Sequence, residues 1–92
     1  MFLAPNRLKH IFRDAPGHLL DTPDNRQLLI DTASNPDYYL GKDRWGNDWY
    51  AHTQPDNTQV WVQTRQTQII NGGLNPIPRS WYPQIGLGEI TN

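Results

Sequence analysis

Hydrophobic positions follow two regimes along this chain, and the change comes at Pro36. Before it, apolar side chains recur at helical spacing. Leu8, Ile11 and Phe12 share one side of a helix from Asn6 to about Asp14, with Asn6 placed to cap it after Pro5. Pro16-Gly17 breaks that helix. A second helix starts at Asp21-Thr22-Pro23, where Thr22 can cap and Pro23 suits the first helical position. Leu28, Leu29 and Thr32-Ala33 fall on its inner side, and Ser34-Asn35-Pro36 ends it.

Beyond Pro36 the chain reads as strands. Tyr38-Tyr39-Leu40 predicts a strand, Asp43 to Gly46 a turn, Asp48 to Thr53 a strand, and Gln54-Pro55-Asp56-Asn57 a turn. Asp43, Asp48 and Asp56 read as turn formers. Thr58 to Arg65 is the clearest strand, rich in β-branched and aromatic residues. Gln66-Thr67 serves as a two-residue loop. Gln68 to Asn71 returns as a fourth strand, closed by Gly72-Gly73 as a tight turn of positive φ. Leu74 to Asn92, with its prolines and glycines, predicts irregular structure. Helices followed by a meander argue for an α+β fold: two N-terminal helices packed on a small four-stranded antiparallel sheet, then an irregular C-terminal segment.

Alternation divides the clearest strand. Val60, Val62 and Thr64 share the face that packs on the helices; Gln59, Trp61, Gln63 and Arg65 share the other. That second face is either a solvated sheet surface or a platform for a ligand. On the latter reading amides meet base edges, Trp61 stacks and Arg65 meets a phosphate.

Composition narrows the classes. The chain's 92 residues suit a single domain, read here as spanning 1–92. A chain of this size buries only about 60–65% of the surface its unfolded form exposes, so its core is thin. Four Trp and four Tyr partly offset a hydrophobic content of 36%. Net charge is −1, which argues against a general nucleic-acid coat. The charge is unevenly spread, however. Arg7, Lys9, Arg13 and Arg26 lie in the first third, and most acidic residues fall between Asp14 and Asp56. With no cysteine, a disulfide scaffold and cysteine-ligated zinc are excluded. No apolar run approaches the ~18 residues of a membrane span, and no signal-peptide pattern opens the chain.

Two histidines lie eight residues apart, in Lys9-His10-Ile11-Phe12-Arg13 and Gly17-His18. One imidazole can remove a proton while another donates one near neutral pH. His10 sits one position off the apolar stripe among cations that would bind phosphate and lower its pKa. His18 follows a helix break and so sits on a loop. His52, within a strand, reads as a structural or surface histidine. A metal site built on His10, His18 and His52 with Asp14 or Asp21 lacks close helical spacing. Ser34 and Ser80 lack the glycine setting of a nucleophile elbow. Arg26, beside Asn25, can brace the loop that carries His18.

Lys9-His10-Ile11-Phe12, Gly17-His18, Asp21-Thr22-Pro23 and Asn25-Arg26 resemble the C-terminal toxin domains of bacterial polymorphic and contact-dependent inhibition toxins. So do Tyr39-Leu40-Gly41, Trp49-Tyr50-Ala51, Gln59-Val60-Trp61-Val62 and Ile70-Asn71-Gly72-Gly73-Leu74-Asn75, so that the likeness runs from about Leu8 to Pro83. Gln66-Thr67 departs from the Asn-Gly turn of that pattern. Such domains are similar to the barnase-like, EndoU-like, colicin-like and RelE-like ribonucleases. The resemblance implies cleavage of RNA, often tRNA, without metal or cofactor. It also implies export as the tip of a larger protein, delivery to the target-cell cytoplasm, and a cognate immunity protein. No membrane insertion by this domain is expected.

An RNA supplies its own nucleophile, the 2′-hydroxyl. On this reading His18 deprotonates it, His10 protonates the leaving 5′-oxygen, and Arg65, helped by Lys9, stabilises charge on the phosphate. Arg13, Arg26, Gln59, Trp61 and Gln63 are the expected substrate-binding residues. The competing expectations are a non-catalytic module that binds peptide or carbohydrate through the Trp, Tyr and Gln surface, and an immunity-type partner protein.

Overall fold

The computed structural model describes residues 1–88. It has an α+β fold, with two short helices on one face of a mostly antiparallel sheet. Strand β1 (Phe2–Leu3) leads through a 3₁₀ turn, Pro5–Arg7, into helix α1 (Leu8–Ile11). Helix α2 (Pro23–Ser34) follows, then strands β2 (Tyr39–Lys42), β3 (Asp48–Thr53), β4 (Gln59–Arg65) and β5 (Gln68–Asn75). A two-stranded ribbon, β6 (Ser80–Tyr82) and β7 (Gly86–Gly88), ends the described chain.

The sheet has five strands rather than four, in the order β1-β5-β4-β3-β2. The addition is β1, which pairs parallel to β5 through Phe2 with Gln68 and Leu3 with Ile69. This anchor also shortens the first helix. Ala4 N–H donates to the Ile69 carbonyl at 3.1 Å, so the chain leaves the sheet edge directly into the Pro5 turn. Asn6 therefore lies inside that turn and caps nothing, and the single α-turn stops at Ile11 instead of reaching Asp14. Helix α2 matches its sequence signals. The Thr22 hydroxyl accepts the Asn25 N–H at 3.1 Å, and Pro23 takes the first position.

The core lies between helices and sheet. Ile11, Leu29, Ala33, Val60, Val62 and Ile69 are buried together, as the alternation of β4 requires. Each of the larger side chains contributes about 1.5–3 kcal/mol through removal from water. Gln66 closes the β4–β5 hairpin with a left-handed φ of 58°.

Two expectations fail downstream. Gly72-Gly73 does not close a strand, because β5 runs through both to Asn75. Space decides at Gly73, where a Cβ would strike the Gly17 carbonyl, while a Cβ on Gly72 would be tight against Leu29 at 3.1 Å. The C-terminal segment is also not irregular over its described part; residues 89–92 lie outside the described residues. The ribbon folds over the outer face of the sheet, where Trp81 covers Gly41 and Gly86 lies on the Trp49 ring. At Gly86 φ is 78° and a Cβ would run into that ring, so only glycine fits.

The β2–β3 turn is organised by Asp43, which is 5% exposed. One carboxylate oxygen accepts the backbone N–H groups of Trp45 and Asn47, at 2.9 and 3.0 Å. The other accepts Trp49 Nε1 at 2.8 Å and, more weakly, Gln63 Nε2 at 3.4 Å. Burial alone would raise the Asp43 pKa, but the hydrogen bonds from Trp49, Asn47 and Trp45 outweigh it and hold the carboxyl below its ordinary value. A carboxyl lowered in the folded state stabilises the fold above its unfolded pKa of 3.8, and that contribution is lost as pH falls through the folded value. Asp43→Asn should therefore lower stability at neutral pH by about 2 kcal/mol, or roughly 8–16 °C in Tm for a domain this size. It should also flatten the acid limb of the stability curve. Part of that limb should survive, since Asp21 and Asp56 are also lowered, by hydrogen bonds chiefly from Arg26 and Thr58 respectively. Thermal melts at several pH values would show this, and an unchanged Tm at pH 7 would contradict it.

Candidate active site

The loop between α1 and α2 carries His18 to the sheet. After Phe12 the chain turns tightly, with Ala15 N–H donating to the Arg13 carbonyl and His18 N–H to the Ala15 carbonyl. Gly17, at φ 81°, allows the reversal. Its carbonyl then accepts two donors from the sheet: Leu74 N–H at 3.0 Å and Trp61 Nε1 at 3.2 Å. The Leu74 bond uses the edge of β5, whose pairing with β1 ends at Ile69. His18 is thus tied to the sheet by its neighbour's carbonyl.

His18 Nδ1 lies 2.9 Å from the Ile11 carbonyl. A carbonyl only accepts, so Nδ1 carries the proton and the neutral ring keeps its lone pair on Nε2. The ring meets the edge of Trp61, with centroids 5.7 Å apart. His18 lines a cleft of about 200 Å³ with Arg13, Trp49, Trp61, Asn71, Asn75 and Arg79 among its walls. Arg13 reaches the same cleft from the end of α1, and its guanidinium donates to His10 Nδ1 at 3.1 Å.

His10 does not line the cleft, but it feels the His18 charge. Although the residue is exposed, partial desolvation of its ring leads in lowering its pKa, followed by the positive charges of Arg13, Arg7 and His18. His10 therefore stands as a neutral ring that accepts from Arg13. It can take up a proton at Nδ1 only when that guanidinium turns elsewhere.

Other expected site residues are placed differently. Arg65 is four positions along β4 from Trp61, roughly 13 Å at strand spacing. Its Nε donates to Asn47 Oδ1 at 2.9 Å, and it lines a separate hollow with Arg7. The shared cleft expected for His18 and Arg65 does not form, because the His18 loop docks at the Gly73 end of β5 while Arg65 sits at the hairpin end. Gln59 is buried with its amide engaged: Nε2 donates to the Arg79 carbonyl, and Oε1 accepts from Asn75 Nδ2 and Arg79 N–H. Trp61 is 9% exposed and stacked on Trp49 at 5.7 Å, so it forms part of the cleft wall rather than an open stacking platform. Gln63 points its amide to Asp43. The expected platform is therefore closed in part: Gln59 and Trp61 are buried and Gln63 is half-buried. Arg26 forms a two-point pair with Asp21 at 2.6 and 2.8 Å and braces the segment after His18 without lining the cleft. Lys9 is exposed and lines neither hollow.

Arg79, Asn71 and Asn75 join the cleft without having been expected there. The available signal was Arg79, a lone cation between prolines and aromatics in a segment otherwise without charge from Leu74 to Leu87. Among the described residues, no group of three or more His, Cys, Asp or Glu side chains could hold a metal ion. No helix among them is long and apolar enough to cross a membrane. No protein-family model, curated protein or solved structure matches this chain.

Proposed function

We propose that the chain is an endoribonuclease that cleaves RNA without a metal, through attack of the 2′-hydroxyl on the adjacent phosphate. The observation that carries this reading is His18: its Nδ1 is committed to the Ile11 carbonyl and leaves Nε2 to act as a base, in a cleft that also contains two arginines, Arg13 and Arg79. His18 takes the 2′-hydroxyl proton as the oxygen bonds to phosphorus. The bond from phosphorus to the 5′-oxygen breaks, and His10 supplies the proton to that oxygen. A phosphate at the cleft draws Arg13 away from His10 Nδ1 and offsets the positive charges that keep the ring neutral, which loads His10 for this step. The products are a 2′,3′-cyclic phosphate and a 5′-hydroxyl. Arg13, in place of Arg65, stabilises the charge that develops on phosphate.

The resemblance of the residue pattern to toxin domains extends the reading. The substrate is then tRNA or another cellular RNA, the domain travels on a larger exported protein to a target-cell cytoplasm, and an immunity protein neutralises it. A binding module for peptide or carbohydrate is favoured less, because Gln59 and Trp61 are buried, although Trp45, Tyr39 and Tyr82 stay exposed.

Incubation with total tRNA in EDTA, followed by gel analysis and end-group mapping, tests the proposal. Fragments that end in a 2′,3′-cyclic phosphate are expected. Intact tRNA, together with other RNAs left uncut, would refute it.

A further inference from the structure

We infer that the hollow between Arg7 and Arg65 is a second phosphate seat, which holds the backbone of a polynucleotide strand at a distance from the bond that is cut. The inference rests on the reading of this chain as an RNA-binding enzyme and adds a site that the cleavage step does not use.

The hollow measures about 250 Å³ and is lined by Ala4, Asn6, Arg7, Arg65, Gln66, Gln68 and Ile70, with no acidic side chain in its wall. Among the described residues neither arginine is paired with a carboxylate; the ion pairs there join Arg26 to Asp21 and Lys42 to Asp48. Two guanidinium groups left beside one concavity without a counter-ion repel each other, and an anion between them relieves that repulsion. Arg65 is prepared for the task. Its Nε is held by Asn47 Oδ1, and Asn47 is itself buried and donates its N–H to Asp43. The guanidinium is thereby fixed at its stem, and its two terminal nitrogens remain for a ligand. The side-chain amides of Asn6, Gln66 and Gln68 add neutral donors suited to phosphate oxygens.

Position identifies the ligand as a strand rather than a free ion. Arg7 acts on His10 through space, and His10 is bonded to Arg13 in the cleavage cleft. Arg65, Arg7 and Arg13 thus mark a line of guanidinium groups from the hollow towards the cleft of His18, with the neutral His10 ring between the last two, on a protein whose net charge is −1. Trp61 in the cleft and Arg65 in the hollow are roughly 13 Å apart along β4, too far for one phosphate to touch both but within the span of two different phosphates of a single strand.

Arg7 makes no side-chain hydrogen bond or ion pair among the described residues, so Arg7→Gln removes the charge and leaves the fold intact. The probe is a short 2′-O-methyl oligoribonucleotide, which lacks the nucleophile and cannot be cut. Its Kd is measured against wild type and Arg7→Gln over a range of salt concentrations. We expect binding about tenfold weaker in the variant. The dependence of log Kd on log salt should be shallower by about 0.7, the share of one phosphate contact in a single strand. The loss should be the same for strands of different base sequence, because phosphate carries none. Unchanged affinity and slope, or no binding of the probe by wild type, would overturn the seat. A Kd that shifts as expected while wild type leaves all RNA intact would preserve the seat and refute the nuclease. Cleaved RNA with an unmoved Kd would do the reverse.

Discussion

His18→Asn should reduce RNA cleavage by about 10²–10⁴-fold while leaving the fold in place, because a general base of this kind contributes that much. Asparagine is the informative replacement. Its side-chain amide can still donate to the Ile11 carbonyl that His18 Nδ1 meets at 2.9 Å, so the local hydrogen bond survives and only proton transfer is removed. An alanine would remove both and confuse a loosened loop with a missing base. The distinguishing readout is the pH profile. An imidazole base gives a rate that rises with pH as the ring becomes neutral, and that rise should vanish in His18→Asn. If the variant cleaves at the wild-type rate with an unchanged profile, His18 is not the base. His10→Ala should also lose activity, with a different signature. It removes the acceptor that holds Arg13 at 3.1 Å, so substrate affinity should fall together with the chemical step.

The placement of these residues was legible in the chain to different depths, and the reason lies in the range of the forces involved. Thr22 and Pro23 announce the second helix by chemistry that acts within one turn, and the structure has the cap as expected. The alternation of Val60, Val62 and Thr64 marks a buried face, because period two is a property of the strand itself. His18 follows from Pro16-Gly17, since a broken helix must leave a loop. What escaped depends on partners distant in sequence. Phe2 and Leu3 form a strand too short to show any period, and only β5 makes it one. Gly72 and Gly73 favour a turn by local preference, yet the nearness of Leu29 and Gly17 decides their place in the sheet. Residues 80–88 read as irregular for the same reason: the contacts of Trp81 with Gly41 and of Gly86 with Trp49 hold the ribbon down.

The site shows the same limit. Alternation places Trp61 and Arg65 on one face of β4, and both do lie on the face away from the helices. It says nothing about which end of the strand a loop from elsewhere will reach. The Gly17 carbonyl chooses the end with Gly73 and Leu74, so Arg13 rather than Arg65 stands beside His18. Nor does alternation reveal that Arg79 and Asn75 engage the Gln59 amide and that Trp61 packs on Trp49 at the cleft wall.

Gly73→Ala should be the most damaging small substitution in the protein, because it strikes stability and site together. Gly73 has no positive φ, so the cause is space alone. A Cβ there would strike the Gly17 carbonyl oxygen and fall 3.0 Å from its carbon, both backbone atoms that cannot swing aside. The loop must retreat, and with it go the bonds from Leu74 N–H and Trp61 Nε1 to that oxygen. The expected loss is about 2–4 kcal/mol, or roughly 10–20 °C in Tm. Because His18 is the next residue, a shift of about 1 Å in the loop should also cost on the order of 10²-fold in cleavage. Gly46→Ala is the contrast: its φ is 85° but nothing lies within 4 Å, so only the left-handed backbone cost of about 1–2 kcal/mol applies and the site is untouched. Should Gly73→Ala fail to fold, Trp61→Phe isolates the link. It keeps a ring against Trp49 and removes one donor to Gly17, so cleavage should fall by more than the small drop in Tm explains. A Gly73→Ala protein that melts and cleaves like wild type would mean that the Gly17 carbonyl does not fix His18 in place.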